Sequence, residues 1–213
     1  MQQITLLVIA PLICILMIII FPGLTNYFGK TEGYIAGFCV YWLICLVATI
    51  YSSKGLDGLM EIYCKRIEIT NKNRRRYYFL AFIPCLATLI VVFGEIAPIV
   101  GFQVLLLSLL FALINGTLEE MFWRGAFNKL FDDIYLAYMY PSIFFGIWHI
   151  ALFLAKGMVY QGGFPSLVGG ALFMGLLWGL VAFKTKSIKI VTVAHVITNF
   201  FAFTGLIFEN WFI

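Results

Sequence analysis

Seven apolar runs, each near or above the length that crosses a lipid bilayer, divide this chain of 213 residues. A membrane-spanning helix needs about 20 consecutive apolar residues. The runs cover approximately residues 4–24, 33–52, 77–99, 102–129, 134–155, 164–183 and 187–208. We therefore predict an all-α, polytopic transmembrane helix bundle with about seven spans, six to eight being the range.

The composition excludes a soluble fold of this length. Hydrophobic residues make up 63% of the chain and charged residues 11%, whereas soluble domains contain about 25% charged residues. The mean hydropathy is +1.01. No internal repeat and no long linker divides the sequence, which predicts a single membrane-embedded domain over residues 1–213 with the lipid bilayer as its surroundings.

The basic residues are distributed unequally between the two ends of the predicted bundle. Eleven of the 14 Lys and Arg residues fall in loops on one side, and two, Lys30 and Lys156, fall on the other. The positive-inside rule makes the side with eleven cytoplasmic. We therefore expect a multi-pass protein of the cell membrane with a cytoplasmic N-terminus. Basic residues beside spans do not indicate nucleic-acid binding.

The one long polar connection, residues 53–76, has the pattern of an amphipathic helix. Its apolar residues follow a spacing of three and four, at Leu56, Leu59, Met60, Tyr63 and Ile67. Such a segment is typical of a helix that lies at the membrane surface. We predict a cytoplasmic amphipathic connector between spans two and three.

Small residues in the spans predict close contacts between helices. Ala171, Gly175 and Gly179 recur at steps of four in span six, a spacing that lets two helix backbones approach. The partner helix is either within the bundle or in a second copy, and the oligomeric state stays open. In span four, Gly116 precedes a capping-box pattern at Thr117 and Glu120, which permits a helix break there.

A few polar side chains fall inside the apolar runs. They are Glu119, Glu120, Arg124, His149, His195 and Asn199, and the two histidines are the only ones in the chain. Each charge in the middle of a bilayer costs about 2.5–3.5 kcal/mol, so three charges in one helix would cost on the order of 8–10 kcal/mol if nothing compensated them. These groups must therefore contact one another, or water, inside the bundle.

Helix geometry suggests how the polar residues divide their roles. Glu120 and Arg124 are four residues apart on one helix face and can form an ion pair. Glu119 lies about 100° further around the helix and remains available as a general base. His195 and Asn199 are also four apart and could together donate to a developing oxyanion. His149 could share a water molecule with Glu119. Together these groups supply what hydrolysis of an amide without a covalent intermediate requires.

These residues resemble the motifs of the CAAX protease and bacteriocin-processing family, also called the Abi family of membrane endopeptidases. The family pattern is E-E-x-x-x-R, then F-x-x-x-H, then H-x-x-x-N on successive helices. The corresponding segments here are "EEMFWR" from Glu119, "FGIWH" from Phe145 to His149, and "HVITN" from His195 to Asn199. The resemblance covers about residues 117–200, whereas residues 1–100 are similar only in being membrane helices.

The resemblance implies a CAAX-like intramembrane endopeptidase that needs no cofactor. In this chain, Glu119 and His149 would activate water, and His195 with Asn199 would hold the oxyanion. Glu120, Arg124 and Phe145 would support them. The implied substrate is a peptide or protein, with a prenylated C-terminus as one option. The implied roles are peptide maturation, self-immunity to bacteriocins, or signalling.

Three alternatives remain open from the sequence. Two histidines and a glutamate could bind zinc, although the H-E-x-x-H motif is absent and Asn is an unusual zinc ligand. The same polar cluster could serve a non-catalytic membrane protein that binds a peptide or confers immunity. A transporter would require paired broken helices, and the sequence does not show them in both halves.

Overall fold

The computed structural model describes residues 1–64 and 71–213, and within them the chain is helical. Seven helices are long and apolar enough to span a membrane, and a shorter one follows the second. We number them α1 (Gln2–Phe28), α2 (Lys30–Ser53), α3 (Leu56–Cys64), α4 (Asn73–Ile96), α5 (Phe102–Leu130), α6 (Tyr135–Phe153), α7 (Pro165–Thr185) and α8 (Lys189–Phe212). The predicted all-α bundle of seven spans is confirmed.

The connector between α2 and α4 agrees with the sequence pattern as far as it is described. Helix α3 includes four of the five predicted apolar positions, and Ile67 lies outside the described residues. Leu59 and Tyr63 pack against the bundle beside the buried Ile62, while Leu56 and Met60 are exposed. Part of the apolar face of α3 therefore packs against the bundle, and the rest is exposed at the surface of the protein.

Helices α5 and α8 form the most extensive contact in the bundle and carry most of the predicted site. Gly116 lies buried in this contact, where a Cβ atom would stand 3.0 Å from the backbone nitrogen of Val196. Helix α5 runs without interruption from Phe102 through Glu120, so the break that the sequence pattern permitted at Gly116 does not occur. Gly116 allows α5 and α8 to approach closely and does not mark the start of a helix.

The small residues of α7 pack inside the bundle. A Cβ on Gly175 would stand 2.9 Å from the Ser142 carbonyl oxygen, and Gly179 faces Ser142 and Tyr138 of α6. The Ser142 hydroxyl donates to the Gly175 carbonyl at 2.9 Å. The sequence left open whether these small residues contact a helix of the same bundle or a second copy of the chain. The structure shows contact with α6 of the same bundle.

A π-helical turn interrupts α5 directly after the two glutamates. It covers Met121–Ala126, and every residue in it is buried. Such turns insert one extra residue into a helix and are frequent at functional sites. Here the turn lies between the glutamates and the basic end of α5.

Candidate active site

Glu119 is held at both of its carboxylate oxygens. The Tyr41 hydroxyl donates to Oε1 at 2.7 Å, and the Asn115 amide donates to Oε2 at 2.6 Å. Asn115 is one helical turn before Glu119 on α5, while Tyr41 comes from α2. Glu119 has 0% of its surface exposed, so these bonds replace the water that would otherwise solvate its charge.

A second layer of donors fixes the groups that hold Glu119. The Trp123 indole N–H donates to the Tyr41 hydroxyl oxygen at 2.8 Å, which leaves the Tyr41 hydrogen for Glu119. The Trp42 indole N–H donates to Asn115 Oδ1 at 2.8 Å, which turns the Asn115 amide nitrogen toward Glu119. Tyr41 also stacks on Trp148, with ring centroids 3.9 Å apart. The carboxylate is therefore fixed in position by neighbouring residues of α2 and by two of its own helix.

His195 bridges the two glutamates. Its Nδ1 lies 2.8 Å from Glu120 Oε1, and its Nε2 lies 3.3 Å from Glu119 Oε2. Its ring stacks on Trp178 of α7, with centroids 4.3 Å apart. Both ring nitrogens therefore face carboxylate oxygens, and only the contact of Nδ1 with Glu120 has the distance and alignment of a hydrogen bond.

Arg124 is paired with Glu120, as the spacing predicted. Its Nη1 lies 3.1 Å from Glu120 Oε1, an ion-pair distance without the alignment of a hydrogen bond. The guanidinium also lies over the Phe145 ring, 4.1 Å from its centroid. Contact with an aromatic face is a favourable setting for a desolvated guanidinium. Phe145 thus contacts the cation of the ion pair through its ring face.

A cavity of about 210 Å³ lies beside this buried cluster. Asn115, His149 and Asn199 are among the residues that line it. His149 Nδ1 lies 2.7 Å from the Phe145 carbonyl oxygen, which can only accept, so Nδ1 carries the hydrogen and a neutral ring keeps Nε2 as an acceptor. Asn199 is 9% exposed, and its Nδ2 has no hydrogen-bond partner within the described part of the chain. The cavity therefore offers an acceptor and an unused donor, and Asn115 connects its wall to the buried Glu119.

The structure separates the predicted site residues into two groups. Glu119, Glu120, Arg124 and His195 form a buried hydrogen-bonded and ionic cluster. His149 and Asn199 line the adjoining cavity instead, together with Asn115. The sequence analysis expected His195 to act beside Asn199, yet both ring nitrogens of His195 face glutamates in this conformation.

Four residues of the site were missed from the sequence: Tyr41, Trp42, Asn115 and Trp123. Asn115 had a detectable signal, because it precedes Glu119 by four residues on a helix. The aromatic residues had none, since an isolated Tyr or Trp in an apolar run has the same pattern as a packing residue. Among the residues that the structure describes, no group of three or more His, Cys, Asp or Glu side chains is arranged to hold a metal ion.

Comparison with known proteins finds a family match for part of the chain. Residues 101–201 match the family described as "Type II CAAX prenyl endopeptidase Rce1-like". The matched segment contains Glu119, His149, His195 and Asn199. It does not include Tyr41 or Trp42, which lie in α2. No curated protein and no solved structure matches the chain at a significant level.

Proposed function

We propose that this multi-pass membrane protein hydrolyses a peptide bond with water activated by Glu119 and His149, on the basis of the similarity of residues 101–201 to the Rce1-like type II CAAX prenyl endopeptidases. The family match supports a membrane peptidase. The observation that carries the mechanism is the position of Glu119, held at both oxygens beside a cavity lined by His149 and Asn199.

Activation of water is the first step of the proposed reaction. A water molecule in the cavity donates a hydrogen bond to His149 Nε2, which the Nδ1 bond to Phe145 keeps free of hydrogen. Glu119 accepts the proton that the water loses as its oxygen attacks the carbonyl carbon of the substrate. A general base at this position contributes about 10²–10⁴-fold to the rate.

Stabilisation of the oxyanion follows from the same proton transfer. Once Glu119 is protonated, its attraction for a hydrogen on His195 Nε2, 3.3 Å away, becomes weaker, and that N–H becomes available to another acceptor. Asn199, one turn away on α8, contributes its unused Nδ2 donor. Two donors on the carbonyl oxygen stabilise the tetrahedral intermediate by several kcal/mol in total.

Collapse of the intermediate completes the hydrolysis. The C–N bond breaks, and Glu119 returns its proton to the departing amine. The products are a new carboxyl terminus and a new amino terminus, and Glu119 regains its charge. Glu120 and Arg124 take no part in the bond changes. Their role is to keep His195 in place on the side opposite Glu119.

The proposed substrate is a peptide or protein segment, and the proposed roles are peptide maturation, self-immunity to bacteriocins, or signalling. A prenylated C-terminus is one candidate substrate, because the family is described as a prenyl endopeptidase. The proposed location is the cell membrane, with a cytoplasmic N-terminus that follows from the basic loops. We propose a reaction without a metal ion or other cofactor.

Peptide cleavage by the purified protein tests the proposal. The protein is reconstituted in lipid and incubated with prenylated CAAX peptides and with a library of unmodified peptides, and products are mapped by mass spectrometry. We expect cleavage at a defined bond that persists after thorough chelation of metals. Cleavage that chelation abolishes and zinc restores would support the zinc-dependent alternative. No cleavage of any peptide would support a non-catalytic binding or immunity protein.

A further inference from the structure

The cavity beside the active site has its mouth at one end of the bundle. Its inner part is lined by Asn199, near the middle of α8, and by His149, in the last turn of α6 before the α6–α7 loop. Its outer part is lined by Val159 and Gln161, in the loop between α6 and α7, and by Glu209 near the end of α8. Val159 and Gln161 are exposed. The cavity therefore leads from the site to the end that carries the α6–α7 loop.

We call the opposite end the closed end, because the described residues between it and the site are packed. Every residue of the π-helical turn Met121–Ala126, which lies on that side of the glutamates, is buried. A second cavity of about 240 Å³ at that end is lined by Gly125, Asn128 and Lys186 among others. Within the described ranges the two cavities share no lining residue. A substrate at the second cavity would meet the packed turn before it reached Glu119.

Charge distinguishes the two ends of the bundle. The closed end carries Lys129, Lys184, Lys186 and Lys189 beside the spans, in addition to the basic residues around the α3 connection. The end with the mouth carries Lys30 and Lys156. By the positive-inside rule the closed end faces the cytoplasm and the mouth faces the opposite compartment.

From these positions we infer that the peptide substrate reaches the site from the non-cytoplasmic side of the membrane. This inference rests on the proposed peptidase function and narrows its substrate. The substrate is an exported peptide, or the external segment of a membrane protein. A C-terminus in the cytoplasm is on the wrong side to reach the mouth.

The walls of the cavity indicate the side chains that fit it. They are mostly apolar, with Leu152, Leu167, Met174, Phe203 and Leu206 among the residues that line them. Glu209 at the mouth accepts a hydrogen bond from Gln161 and places one acidic side chain there. A substrate that fits this cavity has apolar residues around the scissile bond and neutral or basic residues in the part that lies at the mouth. Acidic residues at the mouth would meet Glu209 and be disfavoured.

Cysteine labelling tests the sidedness without any need for cleavage. Gln161→Cys at the mouth and Asp132→Cys at the second cavity are made in a variant whose five native cysteines are replaced. Right-side-out membrane vesicles are treated with a maleimide that cannot cross the bilayer. We expect labelling of Cys at 161 and protection of Cys at 132 until detergent is added. The reverse pattern would overturn the inference and leave the peptidase proposal standing.

Cleavage from one side of the membrane tests the same inference by activity. Peptides from the quenched fluorescent library are coupled to a polymer that cannot cross the bilayer, and are added to right-side-out or inverted vesicles. We expect cleavage by right-side-out vesicles alone. Cleavage by inverted vesicles alone contradicts the sidedness but supports the peptidase. Absence of cleavage in both, and also in detergent, contradicts the peptidase function on which the inference rests.

Discussion

At the scale of single residues, the main feature is the number of groups that hold one carboxylate. Glu119 contacts Tyr41, Asn115 and His195, and a further indole N–H fixes each of the first two. A buried carboxylate is tolerated when hydrogen bonds replace its water. Here hydrogen bonds hold both oxygens of Glu119, and one of the donors, Asn115, lines the cavity. A carboxylate held in this way suits a general base more than a structural ion.

Removing the Tyr41 hydroxyl tests this view of the carboxylate. Tyr41→Phe keeps the ring and its stacking on Trp148 but deletes the donor to Glu119 Oε1. A hydrogen bond to a charged group contributes about 1.5–3 kcal/mol, which corresponds to a loss of about 10–100-fold if it positions the base for the transition state. We expect that loss in kcat with little change in KM, measured by steady-state cleavage of a peptide substrate.

Tyr135→Phe is the matched control. This substitution removes the same hydroxyl group, but at an exposed residue at the start of α6, outside the site. It should cleave at the rate of the wild type. Equal rates for Tyr41→Phe and Tyr135→Phe would show that the Tyr41 bond to Glu119 contributes nothing to catalysis.

The buried ion pair predicts a change in stability. Arg124→Gln leaves the fully buried Glu120 without its cation, and breaking such a pair costs about 3–5 kcal/mol. The lower part of this range is expected, since His195 still contacts Glu120. Unfolding of the protein in detergent or lipid measures the loss.

Arg75→Gln, at an exposed position, is the control and should change stability little. The double variant Glu120→Gln with Arg124→Gln should lose less stability than the sum of the losses of the two single variants, because the two residues are in contact.

At the scale of helices, the site depends on how closely α5 approaches α8. The glutamates are on α5, and both His195 and Asn199 are on α8. Gly116 and Val196 are in contact one turn from these groups. A change in this spacing would therefore move His195 away from both carboxylates.

Gly116→Ala tests the spacing directly. The added methyl group would stand about 3.0 Å from Val196 backbone and side-chain atoms, so the helices must separate. Overpacking costs about 1–3 kcal/mol, and the higher helix propensity of Ala returns up to about 1 kcal/mol. We expect a net loss of stability of about 1–2 kcal/mol together with slower cleavage.

The matched control for this change is Gly23→Ala in α1, where a Cβ would meet no described atom within 4 Å. Thermal unfolding of both variants in the same detergent compares them. The control should keep or slightly raise the wild-type stability. If Gly116→Ala behaves like Gly23→Ala, the close approach of α5 and α8 is not needed for the fold.

The helices also show what the sequence can and cannot predict. Span lengths follow from the apolar runs, and the Glu120–Arg124 pair follows from spacing along one helix, so both were predicted. The position of His195 between two glutamates depends on how α8 is rotated relative to α5, which no spacing within either helix specifies. The sequence permitted a break at Gly116 that does not occur, because a glycine within a helix can allow close contact with a neighbouring helix as well as mark a helix start.

At the scale of the whole molecule, seven candidate spans predict that residues 1 and 213 lie on opposite sides of the membrane. The basic loops then predict residue 1 in the cytoplasm and residue 213 outside. Reporter domains that are active only in one compartment, fused in turn to each end, measure this arrangement. We expect the cytoplasmic reporter to be active at residue 1 and inactive at residue 213. The opposite result would reverse the predicted orientation.

The central claim is that Glu119 is the base of a peptide-hydrolysing site, and one comparison of cleavage rates tests it most directly. Glu119→Gln keeps the size of the side chain but cannot accept the proton, while Glu95→Gln makes the same change at an exposed position of α4. Both are compared with the wild type in lipid, on one peptide, after their stability has been checked. We predict that Glu95→Gln cleaves normally and that Glu119→Gln loses about 10²-fold or more of the rate. A folded Glu119→Gln variant that cleaves at the wild-type rate would contradict the account.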